Sequence, residues 1–376
     1  MVGDYQEDLR LGSAKVYYKL REEFHALGHV CDVLLSPQLG AWPAAPRLRW
    51  AAGPWIAGRA IHRAFRESGP YDVVDAASAE GLAFGLARRL GRDRDAALVA
   101  RSHGLEQVHY ARMLEDSRTG IAPKPLHRRL WYPAVRLSQV ALAARVADRM
   151  IVLNDRDRDF AVRRGWKAPG RVDVVPHGVS DAFLRDAPGD DAPRGAGILF
   201  CGTWADMKGI TELVAAFARV VAERPGARLT VLGPGVPAAQ VLAAFPQAAR
   251  GAVAVVPRAP EEDVIAAYRA HDVFVFPSTF EGFGMVLLEA MSQGMPVVTT
   301  PVGCAPHVVR DGENGLVAPV RDPAALAAAM LRLLDDADLR RRLGSAARTA
   351  AAGMSWTATA RRTLAVYEAA IASARG

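Results

Sequence analysis

Residues 272–300, DVFVFPSTFEGFGMVLLEAMSQGMPVVTT, have the pattern of an apolar strand, a glycine-containing loop, an apolar helix and a second strand. Glu281 lies in the loop beside Gly282 and Gly284, and Glu289 lies inside the helix among apolar side chains. Burying a carboxylate in such a helix is costly unless a polar partner meets it. Glycines let a ligand approach the backbone, and the first N–H groups of a helix favour negative charge. The stretch therefore predicts a pocket for a polar, phosphorylated ligand at the carboxyl edge of a parallel sheet.

The same alternation of strands and helices runs along the rest of the chain. Strands are predicted at CDVLLS, YDVVDAAS, AALVARSHG, RMIVLND and RVDVVPHG, and later at GILFCG, RLTVLG, AVAVVP, DVFVFPS, PVVTTP and NGLVAPV. Helical patterns, such as TELVAAFARVVAE and AALAAAMLRLLDD, lie between most of them. Continuously apolar strands that alternate with helices indicate parallel sheets covered on both faces, so the sequence predicts an α/β fold.

The segment PHGVSDAFLRDAPGDDAPRGAG interrupts this alternation with Pro, Gly and Asp, as an interdomain linker does. A chain of 376 residues is long enough for two domains. We predict two doubly wound, Rossmann-like domains facing each other across a cleft. Their predicted bounds are 1–180 and 197–352, with a linker at 181–196 and a last amphipathic helix within 353–376. Residues 1–10 are too polar for a central strand, so either the sequence begins late or the first domain lacks its usual opening strand.

Composition narrows the class of protein. The net charge of +7 suits an anionic partner such as a nucleotide, a lipid phosphate or a membrane surface. Nucleic acid is not expected, because the sequence shows no basic stripe with interleaved aromatics on one sheet face and no known binding module. The three cysteines are far apart in sequence and fit a reducing cytoplasm. No apolar run reaches the roughly 18 residues of a membrane-spanning helix, and the N-terminus lacks the features of a signal peptide.

The segment EGFGMVLLE, with a glutamate on each side of seven residues, is similar to the paired-glutamate signature of retaining glycosyltransferases. More narrowly, the chain resembles glycosyltransferase family 4, a group 1 glycosyl transferase family with the two-domain B-type fold. That fold contains a C-terminal helix that crosses back to the N-terminal domain. Further segments carry the resemblance in order: HALGHV, ARSHGLE, VLNDRDRDF, VVPHGV, FCGTWADMKGITELVAAF, VLGPG, GCAPHVVRDGENGLV and the SW…VYE tail.

The resemblance implies that the C-terminal domain binds a nucleotide-sugar donor. Glu289 matches the residue that holds the ribose hydroxyls, because a carboxylate can accept two hydrogen bonds from a diol. Glu281 is expected to contact hydroxyls of the donor sugar. Backbone N–H groups are expected nearby, at Phe283, Gly284 and Met285.

The phosphates and the base are expected to contact neighbouring loops. Lys208 places an ammonium where it can neutralise a departing diphosphate. Members of the family usually have an Arg after the loop glycine, but here Thr203 follows Gly202, and Thr203 offers one hydroxyl donor. The loop at Gly233 is expected to pack on the nucleotide base, and Arg258 to reach the base or a phosphate.

The N-terminal domain is expected to supply the acceptor side. His103 matches a family histidine that faces the donor sugar, and His suits a sugar hydroxyl near neutral pH. Gly12 and Lys15 occupy the place of the family's glycine-rich first loop, near the donor phosphate and the acceptor. Two basic, aromatic segments, RLRWAAGPWIAGRAIHRAFR and KPLHRRLWYPAVR, have a composition that suits a bilayer interface or ordinary helix packing.

The sequence therefore predicts a retaining hexosyltransferase that uses a UDP- or GDP-sugar and a glycan or lipid-linked acceptor, in cell-envelope or polysaccharide biosynthesis. We expect a cytoplasmic enzyme that can associate peripherally with the inner face of the cell membrane. No metal or other cofactor is expected, because no D-x-D triplet of the sequence lies directly between two apolar strands, where such a motif would hold the diphosphate through a metal ion. Two alternatives stay open: a silent subunit that acts as a scaffold, and a sugar-nucleotide epimerase on the same fold. A nicotinamide dehydrogenase rests only on the weak G-x-G-x-x-A match at Gly233.

Overall fold

The chain forms two α/β units, each built on one parallel sheet. The computed structural model describes residues 1–7, 12–118, 120, 125–185, 194–195 and 197–375. One unit comprises Met1–His177 together with Trp356–Gly376, and the other comprises Gly178–Ser355. The last helix of the chain is therefore part of the first unit.

The first unit has a four-stranded sheet in the order β1-β2-β3-β4, with every neighbouring pair parallel. Its strands are β1 (Val73–Ala77), β2 (Ala97–Arg101), β3 (Arg149–Val152) and β4 (Val172–Val174). Its helices are α1 (Gly12–Ala26), α2 (Ser36–Leu39), α3 (Pro46–Glu67), α4 (Leu82–Arg89), α5 (Glu106–Arg118), α6 (Leu126–Tyr132), α7 (Ser138–Val146), α8 (Asp155–Arg163) and α18 (Trp356–Arg375), with a π-helix at Pro133–Leu137.

Both faces of this sheet are covered, because successive side chains along a strand point to opposite faces. Leu98 of β2 packs in one core cluster with residues of α3, α4 and α7. The next residue, Val99, packs in a second cluster with Val366 and Ala370 of α18. The C-terminal helix thus covers one face of the N-terminal sheet. Because both faces are covered, side chains on both sides of each strand are apolar.

One predicted strand of this unit is wrong. CDVLLS, residues 31–36, forms no strand, and only Leu34 takes part in an isolated parallel bridge with Val2. Val2 also bridges Ala76: its N–H donates to Asp75 O over 2.8 Å, and Ala77 N–H donates to Val2 O over 2.9 Å. Residues 1–7 contain no strand of their own beyond this bridge. Backbone hydrogen bonds join Leu34 to Met1 and Gly3, and Ser36 to Tyr5, but only the Val2–Leu34 pair completes a bridge.

The second unit has a six-stranded parallel sheet in the order β10-β9-β8-β5-β6-β7. Its strands are β5 (Ile198–Cys201), β6 (Leu229–Leu232), β7 (Val253–Val256), β8 (Val273–Phe276), β9 (Val297–Thr299) and β10 (Leu316–Val317). Its helices are α9 (Asp181–Arg185), α10 (Ile210–Glu223), α11 (Ala238–Ala244), α12 (Gln247–Arg250), α13 (Glu261–Ala270), α14 (Met285–Ser292), α15 (Ala305–Val308), α16 (Pro323–Asp335) and α17 (Ala337–Ala351). The predicted linker at 181–196 contains α9, and residues 186–193 and 196 of it lie outside the described residues.

This is the order of a doubly wound sheet. The chain adds β6 and β7 on one side of β5 and then β8, β9 and β10 on the other side, so the strand order reverses between β5 and β8. The loops after these two strands leave in opposite directions, so a crevice opens at the carboxyl edge between them. A continuous core of buried residues, including Phe200, Phe217 and Phe245, fixes β5 against the helices of one face. The reversal places the loops of the predicted ligand pocket at this crevice.

Candidate functional site

An ion pair stands at the crevice of the second unit. Lys208 ends a short 3₁₀ helix after β5, and its Nζ lies 2.5 Å from Oε1 of Glu281 in the loop after β8. Ser278 Oγ donates to the same carboxylate oxygen over 2.9 Å. Only 8% of the Glu281 side chain is exposed, against 21% of the Lys208 side chain. The pair therefore keeps the carboxylate fixed while part of the lysine side chain stays open to solvent.

A glycine holds the two loops of this pair together. Gly209 has a φ of 70°, and a Cβ placed on it would lie 1.9 Å from the carbonyl oxygen of Pro277. The Thr279 N–H also donates to Met207 O over 2.8 Å. Only a residue without a Cβ fits this close approach in a left-handed conformation. Gly209 thus sets the register of Lys208 against Glu281.

The loop that begins α14 is packed against the loop after β9. Gly284 precedes the helix with a φ of 90°, and a Cβ on it would lie 2.7 Å from Phe276 Cζ. A Cβ on Gly303 would lie 2.3 Å from Phe283 O, the same atom that accepts the Cys304 N–H over 2.6 Å. The first turn of α14, including Met285, therefore starts at the crevice, where its N–H groups favour a negative charge.

Glu289 meets a polar partner that the sequence did not single out. Glu289 is 9% exposed, and the Tyr268 hydroxyl lies 3.4 Å from its Oε2 and 3.2 Å from Val286 O. Burial raises the pKa of the neighbouring Cys201 thiol to about 12, and the negative charge of Glu289 adds to that shift. Burial likewise raises the pKa of Tyr268 well above its usual value. Both neighbours of Glu289 are therefore neutral at physiological pH, and the Tyr268 hydroxyl has the carboxylate and the Val286 carbonyl as its two acceptors.

The loops after β5, β6 and β7 complete this edge of the sheet. Gly202 N–H donates to Leu232 O over 3.0 Å, and Gly233 N–H donates to Val256 O over 2.9 Å. A Cβ on Gly235 would lie 3.2 Å from Nη2 of Arg258, so the guanidinium lies close to the backbone of the loop after β6. Thr203, next to Gly202, is half-buried. The structure thus brings the predicted donor-side residues of this unit to one sheet edge.

His103 lies at the corresponding edge of the first sheet, two residues after β2. Its Nε2 lies 3.2 Å from Tyr17 OH, and its ring packs at 5.5 Å edge-on to Tyr5 and at 5.8 Å from His177. Burial lowers the pKa of His103 to about 3, with the positive charge of Arg101 contributing. The imidazole is therefore neutral near pH 7 and suits hydrogen bonding to an uncharged group.

A cavity of about 310 Å³ lies beside His103, within the first unit. Arg136, on the π-helix, bridges two carboxylates there: its Nη1 lies 3.1 Å from Glu80 Oε1, and its Nη2 lies 3.0 Å from Glu106 Oε1. Tyr132 OH also donates to Glu106 Oε2 over 2.7 Å. Our sequence analysis missed this network. Its one local signal was the position of Glu106 directly after the ARSHGL segment that contains His103.

The other residues predicted for the first unit are Gly12, Lys15 and the two basic, aromatic segments. Gly12 and Lys15 lie in the first turn of α1, and Lys15 is half-buried. Residues 8–11, which precede them in the predicted glycine-rich loop, lie outside the described residues. In the basic, aromatic segments, the ring of Trp50 packs 6.2 Å from that of Trp131 and 5.1 Å from that of Tyr132. Within the described part of the chain, no helix is both long enough and apolar enough to cross a membrane.

The chain is similar in sequence to one family of known proteins. The profile described as "Glycosyl transferases group 1" matches residues 195–336. The D-inositol 3-phosphate glycosyltransferase of Nocardia farcinica is 34% identical over 303 residues, which are 75% of this chain and 63% of the relative. D-inositol 3-phosphate glycosyltransferase 1 of Catenulispora acidiphila is 30% identical over 365 residues, which are 92% of this chain and 84% of the relative. The chain thus spans less than two thirds of the Nocardia protein.

A solved structure shares the fold. Anabaena Alr3699/HepE, crystallised in complex with UDP-glucose, superposes with a TM-score of 0.71 at 16% identity, over 98% of each chain. At that identity the likeness bears on the fold alone, and it agrees with two units that each carry a parallel sheet.

Proposed function

This chain belongs to the group 1 glycosyl transferases, and we propose that it moves a hexosyl group from a nucleotide-diphosphate sugar to a glycan or lipid-linked acceptor with retention of configuration. The observation that carries the proposal is the Lys208–Glu281 pair, at 2.5 Å, at the topological switch point of the second sheet. Doubly wound sheets bind nucleotides in this crevice. The UDP-glucose complex of a protein with the same fold supports a nucleotide-sugar donor.

Lys208 has the role of neutralising the diphosphate as it leaves. An ammonium has three donors, so Lys208 can bind phosphate oxygens without giving up its bond to Glu281. The first N–H groups of α14 add positive potential at the same edge. These two features supply the charge stabilisation that a metal ion would otherwise give, so the proposed reaction needs no metal or other cofactor.

The carboxylates divide the rest of the donor between them. Glu289, next to the Tyr268 hydroxyl, accepts hydrogen bonds from the two ribose hydroxyls. Glu281, fixed by Lys208 and Ser278, accepts from hydroxyls of the sugar. The loop at Gly233 and the Arg258 guanidinium take the base or a phosphate. On the first unit, neutral His103 bonds to a sugar hydroxyl, and Gly12 and Lys15 lie on the acceptor side.

In the proposed reaction, the bond between the anomeric carbon and the diphosphate oxygen breaks. The acceptor hydroxyl oxygen forms the new bond on the same face of the sugar, and its proton passes to the departing phosphate oxygen. In this proposal Glu281, anchored through Oε1 by Lys208 and Ser278, positions the sugar and forms no covalent adduct. Retention then follows from same-face attack.

We place the reaction at the cytoplasmic face of a membrane, in cell-envelope or polysaccharide biosynthesis. Three large apolar side chains are exposed within or beside the basic, aromatic segments: Leu48 at 60%, Trp55 at 52% and Leu130 at 63%. Apolar side chains among arginines suit an anionic lipid surface. Flotation with anionic and with neutral vesicles tests this part, and equal absence from both vesicle fractions contradicts it.

The test of the central proposal is calorimetric titration with UDP, GDP and NAD, followed by a panel of nucleotide sugars. We expect one of the two nucleotides to bind, NAD not to bind, and one nucleotide sugar to be transferred or slowly hydrolysed. Binding to neither UDP nor GDP contradicts the proposal and favours a silent subunit. Conversion of the donor sugar without an acceptor favours an epimerase.

A further inference from the structure

The cavity beside His103 in the first unit contains charged groups that already satisfy one another. It is lined by Glu80, Glu106, Arg101, Arg136 and Asp4, among others, so three carboxylates face two guanidiniums. The groups just outside do not reverse this balance, because Arg101 is held by Asp75 and Asp4 by Arg49. The described charges at the cavity are therefore net acidic by one.

Each guanidinium of the lining is committed to carboxylates. Arg136 Nε lies 3.2 Å from both oxygens of Glu106, in addition to its contacts through Nη1 and Nη2. Arg101 Nε and Nη2 both donate to Asp75 Oδ2, over 2.9 Å and 2.6 Å. A phosphate monoester that enters such a cavity loses its hydration and finds no cation to replace it, which is costly.

What the cavity does offer is hydrogen bonding to neutral groups. Two of its carboxylates remain partly open: 23% of the Glu106 side chain and 25% of the Asp4 side chain are exposed. Carboxylate oxygens accept hydrogen bonds and donate none, so they bind ligand groups that carry a hydrogen. A hydroxyl group supplies such a hydrogen, and a phosphate dianion has none. Among the described residues, Arg101 Nη1 lacks a hydrogen-bond partner, but it is fully buried and so is closed to a ligand in the cavity.

We propose that this cavity binds an uncharged, hydroxyl-rich ring of the acceptor, such as an unphosphorylated cyclitol or hexose, and excludes a phosphate monoester. The proposal rests on the proposed glycosyltransferase function, because it assigns the cavity to the acceptor. The volume of about 310 Å³ is at the lower end of small-ligand sites, which span roughly 300–1,000 Å³, and so suits a single ring. The proposed preference for an unphosphorylated ring distinguishes this chain from an enzyme whose acceptor is a phosphorylated polyol. D-inositol 3-phosphate nevertheless appears in the names of its curated relatives.

The first experiment compares matched acceptors that differ only in a phosphate: myo-inositol with D-inositol 3-phosphate, and methyl mannoside with its 6-phosphate. Binding to the full chain is followed by ligand-observed NMR, with UDP or GDP present. We expect the unphosphorylated member of at least one pair to bind at least about tenfold more tightly, because the phosphate is desolvated without a cation. Tighter binding of the phosphorylated members, or binding of no member while the nucleotide still binds, overturns the proposal. Loss of nucleotide binding instead defeats the proposed function.

The second experiment removes a carboxylate partner of Arg136. Glu106→Gln removes the main partner of Arg136, and we expect inorganic phosphate to bind at least about tenfold more tightly than to the wild type. Glu115→Gln is the matched control, since it removes the same charge from an exposed position of the same helix. If Glu106→Gln does not fold, Glu80→Gln removes the other carboxylate. Wild-type protein that binds phosphate as tightly as these variants contradicts the proposal.

Discussion

Each unit places charged side chains at the carboxyl edge of its own parallel sheet, but the ratio of cations to carboxylates differs between the two units. In the second unit one ammonium, Lys208, meets one carboxylate and remains 21% exposed. In the first unit Arg136 meets two carboxylates, and its side chain is only 13% exposed. A cation with spare donors next to a helix N-terminus suits a diphosphate, whereas a guanidinium saturated by carboxylates suits a neutral ligand. The contrast shows that counting arginines and lysines does not locate an anion site; their partners decide.

The largest effect is expected from Lys208→Ala. It removes the cation assigned to the leaving diphosphate, so we expect turnover to fall about 10²–10³-fold, the range typical for loss of one preorganised electrostatic group. Steady-state transfer with the preferred nucleotide sugar measures this. Lys208→Arg is the control that keeps the charge, and thermal unfolding shows whether the Ala variant is folded. Near-normal turnover in a folded Lys208→Ala protein contradicts the role.

Arg136→Met tests the first unit, because it leaves Glu80 and Glu106 without their shared cation. We expect about 3 kcal/mol of destabilisation, the lower end for a broken buried pair, since the Glu106 side chain remains 23% exposed. Urea unfolding at pH 7 measures it, with exposed Arg89→Met as the control. A loss no larger than that of the control means that the network is not stabilising.

The same variant has a pH signature. Arg136 is the main cause that lowers the pKa of Glu106, opposing burial. A carboxyl whose folded pKa lies below its unfolded value stabilises the fold above the unfolded pKa, and this stabilisation is lost as pH falls through the folded pKa. Burial raises the pKa of Glu80, and without Arg136 both carboxyls lose their cation, so the difference in unfolding free energy between wild type and Arg136→Met is expected to shrink as the pH falls from 7 toward 3.5. A difference that is constant from pH 7 to pH 3.5 contradicts this assignment.

A smaller effect is expected from Gly209→Ala, which acts on the register of the second site. A Cβ there lies 1.9 Å from Pro277 O and imposes a left-handed φ of 70° on a residue with a side chain. We expect about 2 kcal/mol of destabilisation, with weaker nucleotide binding, because the loops of Lys208 and Glu281 separate. Gly226→Ala is the matched control, since a Cβ there has nothing within 4 Å. Equal stability and equal UDP affinity in both variants rule out a special role for Gly209.

The smallest effect is expected from Thr203→Arg, which adds a second cation beside Gly202. The position is half-buried, so solvent screens much of the added charge, and we expect nucleotide affinity to rise by at most about fivefold. The salt dependence of UDP binding is expected to become steeper. Calorimetry at two salt concentrations measures both. Unchanged affinity at low salt places Thr203 away from the phosphates.

The fold of both units was largely predictable, because buried parallel strands are apolar throughout and helices between them keep their own period. The run at 31–36 misled the prediction because β-propensity does not supply a partner, and its neighbouring segment bridges through Val2 alone. Within the sites, Glu281, Lys208 and Glu289 were visible in the sequence from their glycines and apolar surroundings. Tyr268 and Arg136 were not, because nothing local distinguishes them from other helical residues, and their roles arise from contacts distant in sequence.

The sequence by itself determined the alternation of strands and helices, the glycines that a close backbone approach requires, and the family to which the chain belongs. These are local properties, since period, turn chemistry and motif spacing are encoded within short segments. Only the tertiary structure decided which charges pair: Lys208 with Glu281 across 73 residues, and Arg136 with Glu80 across 56. The electrostatic character of a site depends on distances between residues far apart in the chain, and only the folded sheets fix those distances.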